Sequence, residues 1–285
     1  MTNKQSIITP KGKRWKHNVL MSIVKAKEFP TRLRLFHILR RALNVDLLLY
    51  KTPSGLNLLL DFNDWVQSQI YYHGNYEKLS LAAFKDLAKE SKVILDLGAH
   101  IGQYALECAQ EDKAKEKQII AVEVNPKTFT YLLNNIQIND FTQVKPVLGA
   151  LYNDKSIVNI GIPAYWNMGN TQISSEDSQF DSFYSASLNV HELLRRFNLT
   201  QIDLVKMDVE GQELNIISDF FDNKVYPTNI IFEFIPTHYD SAQSVVQLLS
   251  KNGYEIRDIH GQLYDNAESV TEQNLIAKRA ENMGQ

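Results

Sequence analysis

The chain has 285 residues, which suits one large domain or a core domain with an extension. Hydrophobic residues make up 44% of it and charged residues 22%, so it can build a sizeable core, which excludes wholesale disorder. The single cysteine, Cys108, excludes an internal disulfide. No apolar run reaches the roughly 18 residues of a spanning helix, and the start of the chain lacks a signal-peptide stretch. We therefore expect a cytoplasmic protein.

The net charge of −3 conceals a strong asymmetry along the chain. Residues 1–41 contain eleven Lys or Arg and one acid, Glu28, so this basic arm carries +10 while the rest of the chain carries −13. Such an arm suits contact with a polyanion, either an anionic membrane surface or nucleic acid. It suits equally well docking on the acidic body of its own chain. The sequence leaves these readings open.

The first 91 residues are predicted to hold short helices and one hairpin. Apolar residues at helical spacing predict two helices separated by Pro30, and two leucine-rich runs around a Thr-Pro-Ser-Gly turn predict a β-hairpin. An aromatic-rich stretch follows and then a further helical pattern. The predicted parts are a partly helical basic arm (1–45) and an extension (46–91) with a hairpin (47–51 with 56–61) and a helix (77–90).

From residue 92 onward, short apolar runs alternate with stretches long enough for crossover helices. This rhythm predicts an α/β fold with a mostly parallel sheet covered on both faces. The last two runs lie close together around Gly261, which suits an antiparallel hairpin at the sheet edge. The predicted strands are 93–97, 119–122, 144–148, 202–207, 229–232, 254–258 and 274–278.

The first of these strands ends in Asp96 and passes through Gly98 and Gly102 into a helix. Ligands of such sheets bind beyond the carboxyl ends of the strands. A dinucleotide fingerprint needs glycines where this chain has His100 and Gln103, because pyrophosphate must approach bare backbone. S-adenosylmethionine has no pyrophosphate, so its site tolerates a side chain at position 100. The motif therefore favours S-adenosylmethionine over a nicotinamide dinucleotide.

Acidic residues stand at the ends of three further strands. Glu123 ends the second strand, where a carboxylate can accept hydrogen bonds from the ribose hydroxyls of either cofactor. Asp208 and Glu210 follow the fourth strand, and Glu233 ends the fifth. Neighbouring acids are costly unless they are hydrated, paired or used. They could orient an amino group, hold or deprotonate an acceptor hydroxyl, or bind a divalent cation.

The segments VILDLGAHIGQYAL, AVEVNP, ALYNDKS, DLVKMDVEGQELNII and IIFEF resemble the FkbM-type S-adenosylmethionine-dependent methyltransferases, and the resemblance extends over roughly residues 46–280. It implies a Rossmann-like seven-strand methyltransferase sheet over residues 92–285, preceded by the helical and hairpin extension. It also implies O-methylation of a hydroxyl on a sugar, glycan or natural product. His100 departs from the family, where asparagine is more usual. The candidate cofactor-binding residues are Asp96, Gly98, His100, Gly102, Glu123 and Ala150.

Methyl transfer to a hydroxyl requires alignment of oxygen, methyl carbon and sulfur, and a base or cation assists because a hydroxyl is a weak nucleophile. The candidate catalytic residues are Asp208, Glu210 and His238, with Glu233 and His73 as further candidate bases and Asp208 favoured. Residues 161–187 are expected to form a substrate loop. The acceptor is expected to lie against Trp65, Tyr72, Trp166 and Asn170.

Three other functions remain open. A nucleic-acid methyltransferase would use the basic arm, but Asp208-Val209-Glu210-Gly211 stands where amino-methylating enzymes carry an Asn/Asp-Pro-Pro-aromatic run. A nicotinamide-dependent oxidoreductase is disfavoured by the missing glycines. A non-catalytic Rossmann-like binding module would keep the fold without turnover. The expected partner is a hydroxyl-bearing small molecule or glycan, with an anionic membrane surface as an option for the arm and nucleic acid less expected.

Overall fold

The structure is a computed structural model that describes residues 14–26, 31–112, 115–152, 156–162, 172–173, 181–234, 239–264 and 274–280. The helices are α1 (Arg14–Lys25), α2 (Arg32–Ala42), α3 (Trp65–His73), α4 (Lys78–Ala88), α5 (Gln103–Glu111), α6 (Pro126–Asn139), α7 (Val190–Phe197), α8 (Glu213–Asp222) and α9 (Tyr239–Lys251). The strands are β1 (Leu47–Lys51), β2 (Asn57–Asp61), β3 (Val93–Leu97), β4 (Gln118–Glu123), β5 (Val144–Leu148), β6 (Ala150–Leu151), β7 (Ile157–Ile162), β8 (Gln172–Ile173), β9 (Asp181–Leu188), β10 (Leu204–Met207), β11 (Asn229–Glu233), β12 (Tyr254–Asp258) and β13 (Asn274–Arg279).

The main sheet has seven strands in the spatial order β12-β13-β11-β10-β3-β4-β5. The five strands from β11 to β5 pair in parallel, and β13 runs antiparallel to both β11 and β12. Every residue of β10 is buried, as is most of β3, β4 and β11, as expected of strands covered on both faces. The predicted α/β class, the Rossmann-like seven-strand sheet and the antiparallel hairpin at its edge are confirmed.

The chain order reverses beside β3, because β4 and β5 lie on one side of it and β10 and β11 on the other. At such a switch point the connections leave the sheet in opposite directions and open a crevice at the carboxyl ends of the strands. The polar residues predicted at the ends of β3, β4, β10 and β11 therefore meet around one crevice.

A second sheet, in the order β6-β9-β7-β8, was not predicted. Six residue pairs join β7 to β9 in antiparallel register. The expectation of a substrate loop over residues 161–187 is therefore corrected at both ends, because β7 extends to Ile162 and β9 begins at Asp181. Residues 163–171 and 174–180 of that segment lie outside the described residues, and with them Trp166 and Asn170.

The elements that precede β3 agree with the predicted helices and hairpin and add one helix. The hairpin β1–β2 pairs Leu47 with Asp61, and α3 occupies the aromatic stretch for which no element was predicted. Asp64 caps the start of α3 by accepting a 2.9 Å hydrogen bond from the backbone N–H of Gln67, and Gly74 ends it in the left-handed conformation. Among the described residues, no helix is both long and apolar enough to span a bilayer.

The N-terminal elements and one face of the main sheet share a hydrophobic core. Leu20 of α1, Phe36 of α2 and Leu58 of β2 are fully buried in the same cluster as Ile94 of β3 and Ile119 of β4. Burial of these side chains contributes about 1.5–3 kcal/mol each. The N-terminal elements therefore gain stability from the sheet, while the three-part division of the chain stays a prediction.

We expect Phe36→Ala to lower the free energy of unfolding of the whole protein by about 3–5 kcal/mol, because it leaves a cavity in the shared core. Urea denaturation followed by circular dichroism measures this loss, and the unfolding transition should remain single.

Leu35→Ala is the matched control on the same helix, because Leu35 is 37% exposed, and it should cost less than about 1 kcal/mol. A Phe36→Ala protein whose main transition stays in place would show that α2 does not contribute to the stability of the sheet.

Candidate active site

The carboxyl ends of β3, β4, β10 and β11 enclose a cleft of about 150 Å³. The sequence-predicted residues that line it are Gly98, His100, Glu123, Ala150, Asp208, Glu210 and Glu233. The fold therefore brings the strand-end acids together, as expected from the parallel sheet.

Four other candidates lie elsewhere or outside the described residues. Asp96 and Gly102 stand behind the cleft and are not among the residues that line it. His73 is exposed at the end of α3 and does not line the cleft either. His238 lies outside the described residues.

The turn after β3 is fixed by a close approach of two backbone segments. Gly98 has φ +79°, and a Cβ built on it would lie 1.8 Å from the backbone carbonyl oxygen of Asp208. Its N–H and that of Ala99 both donate to the carbonyl oxygen of Val122, over 3.0 and 2.9 Å. Glycine is therefore required at position 98, both for its φ and for the space.

Glu123 ties this turn to the end of β4. Its Oε2 accepts a 2.7 Å hydrogen bond from the backbone N–H of His100, which has φ +51°. Its Oε1 accepts hydrogen bonds from the N–H of Asn125 and the hydroxyl of Thr128, over 2.8 and 2.9 Å. The carboxylate is thus held in one orientation at the wall of the cleft, where it could accept a further bond from a hydroxyl of a ligand.

Asp96 holds helix α5 against strand β3. It is fully buried, and its Oδ2 accepts a 3.0 Å hydrogen bond from the N–H of Ala105. Its Oδ1 has no hydrogen-bond partner in the described part of the chain. Burial raises the pKa of Asp96 to about 6, against the opposing charge of Lys206. Its predicted part in cofactor binding stays a prediction.

Gly102 allows two helices of the domain to approach each other. It precedes α5 with φ +91°, and a Cβ at this position would lie 2.5 Å from Cδ1 of Leu132 on α6. Its role in the structure is therefore helix packing next to the cleft.

A buried lysine stands among the acids of the cleft. Lys206 of β10 is 3% exposed, and its Nζ donates a 2.9 Å hydrogen bond to Oδ2 of Asp208. It is also the register partner of Asp96 in β3. Burial alone would lower the pKa of Lys206, but the charges of Asp208, Asp96 and Glu77 outweigh it and raise the pKa. Lys206 therefore stays protonated and partly neutralises the acids.

Two acids of the cleft, Glu210 and Glu233, have raised pKa values. Burial, followed by the charges of Asp208 and Glu213, raises the pKa of Glu210 to about 7. Burial and the charges of Asp208 and Glu210 also raise the pKa of Glu233. The cleft therefore holds more carboxylates than Lys206 can neutralise, and a carboxyl group that titrates near neutral pH can exchange a proton with a ligand.

The family of the chain follows from a sequence comparison. The sequence model of the methyltransferase FkbM domain matches residues 96–256, which is more than half of the chain. The chain belongs to the FkbM methyltransferase family. It therefore contains an S-adenosylmethionine-dependent methyltransferase domain, and the predicted family is confirmed.

Curated proteins show more distant similarity to this FkbM chain. It is 33% identical over 79 residues to the tRNA(Phe) (4-demethylwyosine(37)-C(7)) aminocarboxypropyltransferase of Methanocaldococcus jannaschii, over 28% of this chain and 30% of that one. It is 26% identical over 164 residues to the hexuronic acid methyltransferase AglP of Haloferax volcanii, over 58% of this chain and 64% of that one. The match thus covers less than two thirds of the length of either relative.

Among solved structures, the FkbM chain is similar to M. jannaschii TYW2 in complex with AdoMet, with a TM-score of 0.41 and 17% identity. The similarity covers 82% of this chain and 87% of that one.

One wall of the FkbM cleft comes from Tyr76 and Glu77 of the N-terminal extension, whereas the sequence pointed to Trp65 and Tyr72 of that extension, which do not line the cleft. Tyr76 exchanges two 2.8 Å hydrogen bonds with the side chain of Gln103, through its own N–H and C=O. Glu77 accepts a 2.7 Å hydrogen bond from the hydroxyl of Tyr104. Both pairs join the extension to α5, so the segment before the FkbM match helps to shape its cleft. The signal was the aromatic stretch that includes Trp65, whose ring meets that of Tyr76 edge-on at 5.8 Å.

His100 connects the cleft to the start of α3. Its Nε2 lies 3.6 Å from Oδ2 of the buried Asp64. Burial alone would lower the pKa of His100, but its interaction with Asp64 outweighs this and raises it. The sequence pointed to His100 as a candidate cofactor-binding residue and as a departure from the family, whereas Asp64 carried no signal.

A metal was left open by the sequence. Within the described ranges, no group of three or more His, Cys, Asp or Glu side chains is arranged to hold a metal ion. A divalent cation in this FkbM protein therefore stays an untested prediction.

We expect Gly98→Ala to lower the free energy of unfolding by about 3 kcal/mol or more, because the new Cβ would force the turn and the Asp208 backbone apart. Binding of S-adenosylmethionine, measured by calorimetry, should weaken at least about tenfold because the turn borders the cleft.

The control is Gly261→Ala, where φ is +85° and nothing lies within 4 Å of a new Cβ. It should cost only about 1–2 kcal/mol of left-handed strain. Equal losses in the two variants would show that the contact with Asp208 is unimportant.

Proposed function

We propose that the protein transfers the methyl group of S-adenosylmethionine to a hydroxyl group of a sugar, glycan or natural product. The observation that carries the proposal is the excess of acid in the cleft of an FkbM domain. The carboxyl groups that line it belong to Glu77, Glu123, Asp208, Glu210 and Glu233, and the lysine among them is Lys206. A cleft lined by one sign of charge concentrates ligands of the opposite sign, and S-adenosylmethionine brings a sulfonium and an ammonium group.

The residues present fit this cofactor. Gly98 lets the turn after β3 lie against the Asp208 backbone at the edge of the cleft, and Glu123 holds a carboxylate in place for two ribose hydroxyls. We assign Gly98, His100, Glu123 and Ala150 to the cofactor side of the cleft, on the support that all four line it. When bound, the cofactor supplies an electrophilic methyl carbon.

The acceptor side is assigned to the acids that follow β10. The 2.9 Å hydrogen bond from Lys206 orients Asp208, so that Asp208 can accept a hydrogen bond from the acceptor hydroxyl and align the hydroxyl oxygen for methyl transfer. Glu210, with a pKa raised to about 7, is the base that takes the hydroxyl proton as the C–O bond forms and the S–CH₃ bond breaks. The products are a methyl ether, S-adenosylhomocysteine and a protonated Glu210.

The charge of the cleft supports an acceptor without phosphate groups. Among the described residues that line the cleft, the one Lys or Arg is Lys206, and it is already paired with Asp208. A nucleic-acid backbone needs Lys and Arg beside the reacting site. The similarity to the tRNA-modifying relative covers only 28% of this chain. Methylation of nucleic acid is therefore the weaker alternative.

A methyl-transfer screen tests the proposal. Labelled S-adenosylmethionine is offered with glycans, hydroxylated small molecules and RNA, with and without a divalent cation. We expect label in an alkali-stable methyl ether. Calorimetry should show micromolar binding of S-adenosylmethionine and none of NAD. Asp208→Asn should lower turnover at least about 100-fold with cofactor affinity changed by less than about threefold.

Asp222→Asn, an exposed acid at the end of α8, is the matched control and should retain full turnover. Tighter binding of NAD would end the cofactor assignment, label only in RNA would replace the acceptor class, and full activity of Asp208→Asn would remove Asp208 from the reaction.

The pH dependence follows from the role given to Glu210. A base must be ionised, so kcat/KM should rise with pH through a midpoint near 7 and fall about tenfold per unit below it. Glu210→Gln should lose activity and with it this midpoint. A profile with the same midpoint in Glu210→Gln would assign the titration to another group.

A further inference from the structure

Helices α1 and α2 each carry a stripe of apolar side chains that face water. On α1, Trp15 is 55% exposed and Val19, one turn later, is 38% exposed. On α2, Leu35 is 37% exposed and Ile38 is 55% exposed. These spacings of four and three residues put each pair on one face of its helix. Together the four side chains form what we call the outward patch.

The outward patch lies away from the core. The opposite faces of the two helices bury Leu20 and Phe36 completely in the same cluster. The helices pack against each other and bury these residues in one core, so both exposed faces are directed away from that core. Helices that bury one face so fully do not need an apolar second face for folding, and exposed apolar groups that cluster mark interaction sites.

The charge around the outward patch has one sign. Neither α1 nor α2 contains an Asp or Glu. Lys25, Arg34 and Arg41 are exposed on these helices. Other bases of the arm contact their own chain, since Arg40 pairs with Asp46 at 2.8 Å and Arg32 donates to the carbonyl oxygen of Ala26 at 2.9 Å. Docking on the chain therefore accounts for part of the basic arm, and among its described side chains Lys25, Arg34 and Arg41 are exposed on the two helices of the patch.

We propose that the outward patch docks on the surface of an anionic lipid bilayer. Tryptophan and aliphatic side chains enter the interface between headgroups and acyl chains. Each Lys or Arg that lies near an anionic surface adds a similar increment to the binding free energy. A nucleic-acid backbone would attract the cations but would offer no apolar surface for Ile38 and Val19 to contact. A second copy of the chain would bring Arg34 and Arg41 against their own equivalents.

The test is co-sedimentation of the full chain with vesicles. We compare vesicles of phosphatidylglycerol and phosphatidylcholine in equal parts with vesicles of phosphatidylcholine alone, at low and high salt. We expect binding to the anionic vesicles that weakens with salt, and a blue shift of tryptophan fluorescence that the Trp15→Phe variant lacks.

Two double variants separate the apolar and the charged contributions. Trp15→Ser with Ile38→Ser should weaken vesicle binding at least about tenfold, and Arg34→Gln with Arg41→Gln should weaken it about 30-fold. The matched controls change equally exposed residues elsewhere, Leu79→Ser with Leu133→Ser and Arg196→Gln with Lys251→Gln, and should bind as the parent does. Circular dichroism checks that each variant is folded.

Several results would overturn the proposal. These are equal binding to both kinds of vesicle, unchanged binding of either double variant, or the same loss in the matched controls. Sedimentation velocity would assign the patch to a second copy if the parent is a dimer and Trp15→Ser with Ile38→Ser is a monomer. Salt-sensitive binding to RNA without binding to anionic vesicles would assign the cations to nucleic acid. None of these results bears on methyl transfer, which is measured separately with a water-soluble acceptor.

Discussion

The buried charge of Lys206 is the interaction on which the cleft depends. Removing an ammonium group from water costs several kcal/mol unless it is paired with good geometry. Here a 2.9 Å hydrogen bond to Asp208 supplies the pairing, and the charge of Asp96 on the neighbouring strand adds to it. Without that cation, the strand-end acids would face one another across a space with little water. Burial, followed by the charges of neighbouring acids that Lys206 does not neutralise, raises the pKa values of Glu210 and Glu233.

This imbalance explains why the cleft suits a cationic cofactor better than a phosphate-rich one. A positively charged ligand completes the compensation that Lys206 begins, and its arrival lowers the cost of ionising the neighbouring carboxyl groups. The wall formed by Tyr76 and Glu77 is held on α5 by hydrogen bonds with Gln103 and Tyr104. The extension and the sheet are thus joined both through the core and at the rim of the cleft.

Much of this fold could be predicted from the sequence because its strands are short apolar runs with glycine or acid at their ends. Asp96, Glu123, Asp208 and Glu233 mark the ends of β3, β4, β10 and β11, and parallel pairing brings those ends to one edge. The second sheet was not predicted because β9 is rich in serine and because residues 163–180, which separate β7 from β9, contain many residues typical of loops.

The site was less predictable, for a physical reason. Lys206 was visible in the sequence as a charge inside an apolar run. Its position beside Asp96, however, depends on the register of β10 against β3. Tyr76 and Gln103 are 27 residues apart, and their contact follows from how α5 packs on the extension. Periodicity and spacing report local structure, whereas these contacts depend on tertiary packing. For Asp96 the position at the end of β3 was predicted correctly. Its hydrogen bond from the N–H of Ala105, which gives it a structural role as well, was not.

The carboxylate of Glu123 has a consequence for how such a domain can diversify. One side chain spans from β4 to the N–H of His100 and also braces Thr128 at the start of α6. An aspartate, which is one methylene shorter, could not reach both of these anchors, the N–H of His100 and the hydroxyl of Thr128. The length of the side chain at position 123 is therefore fixed by the distance between these two groups. Diversification of such a domain at this position is therefore limited to side chains that reach both anchors.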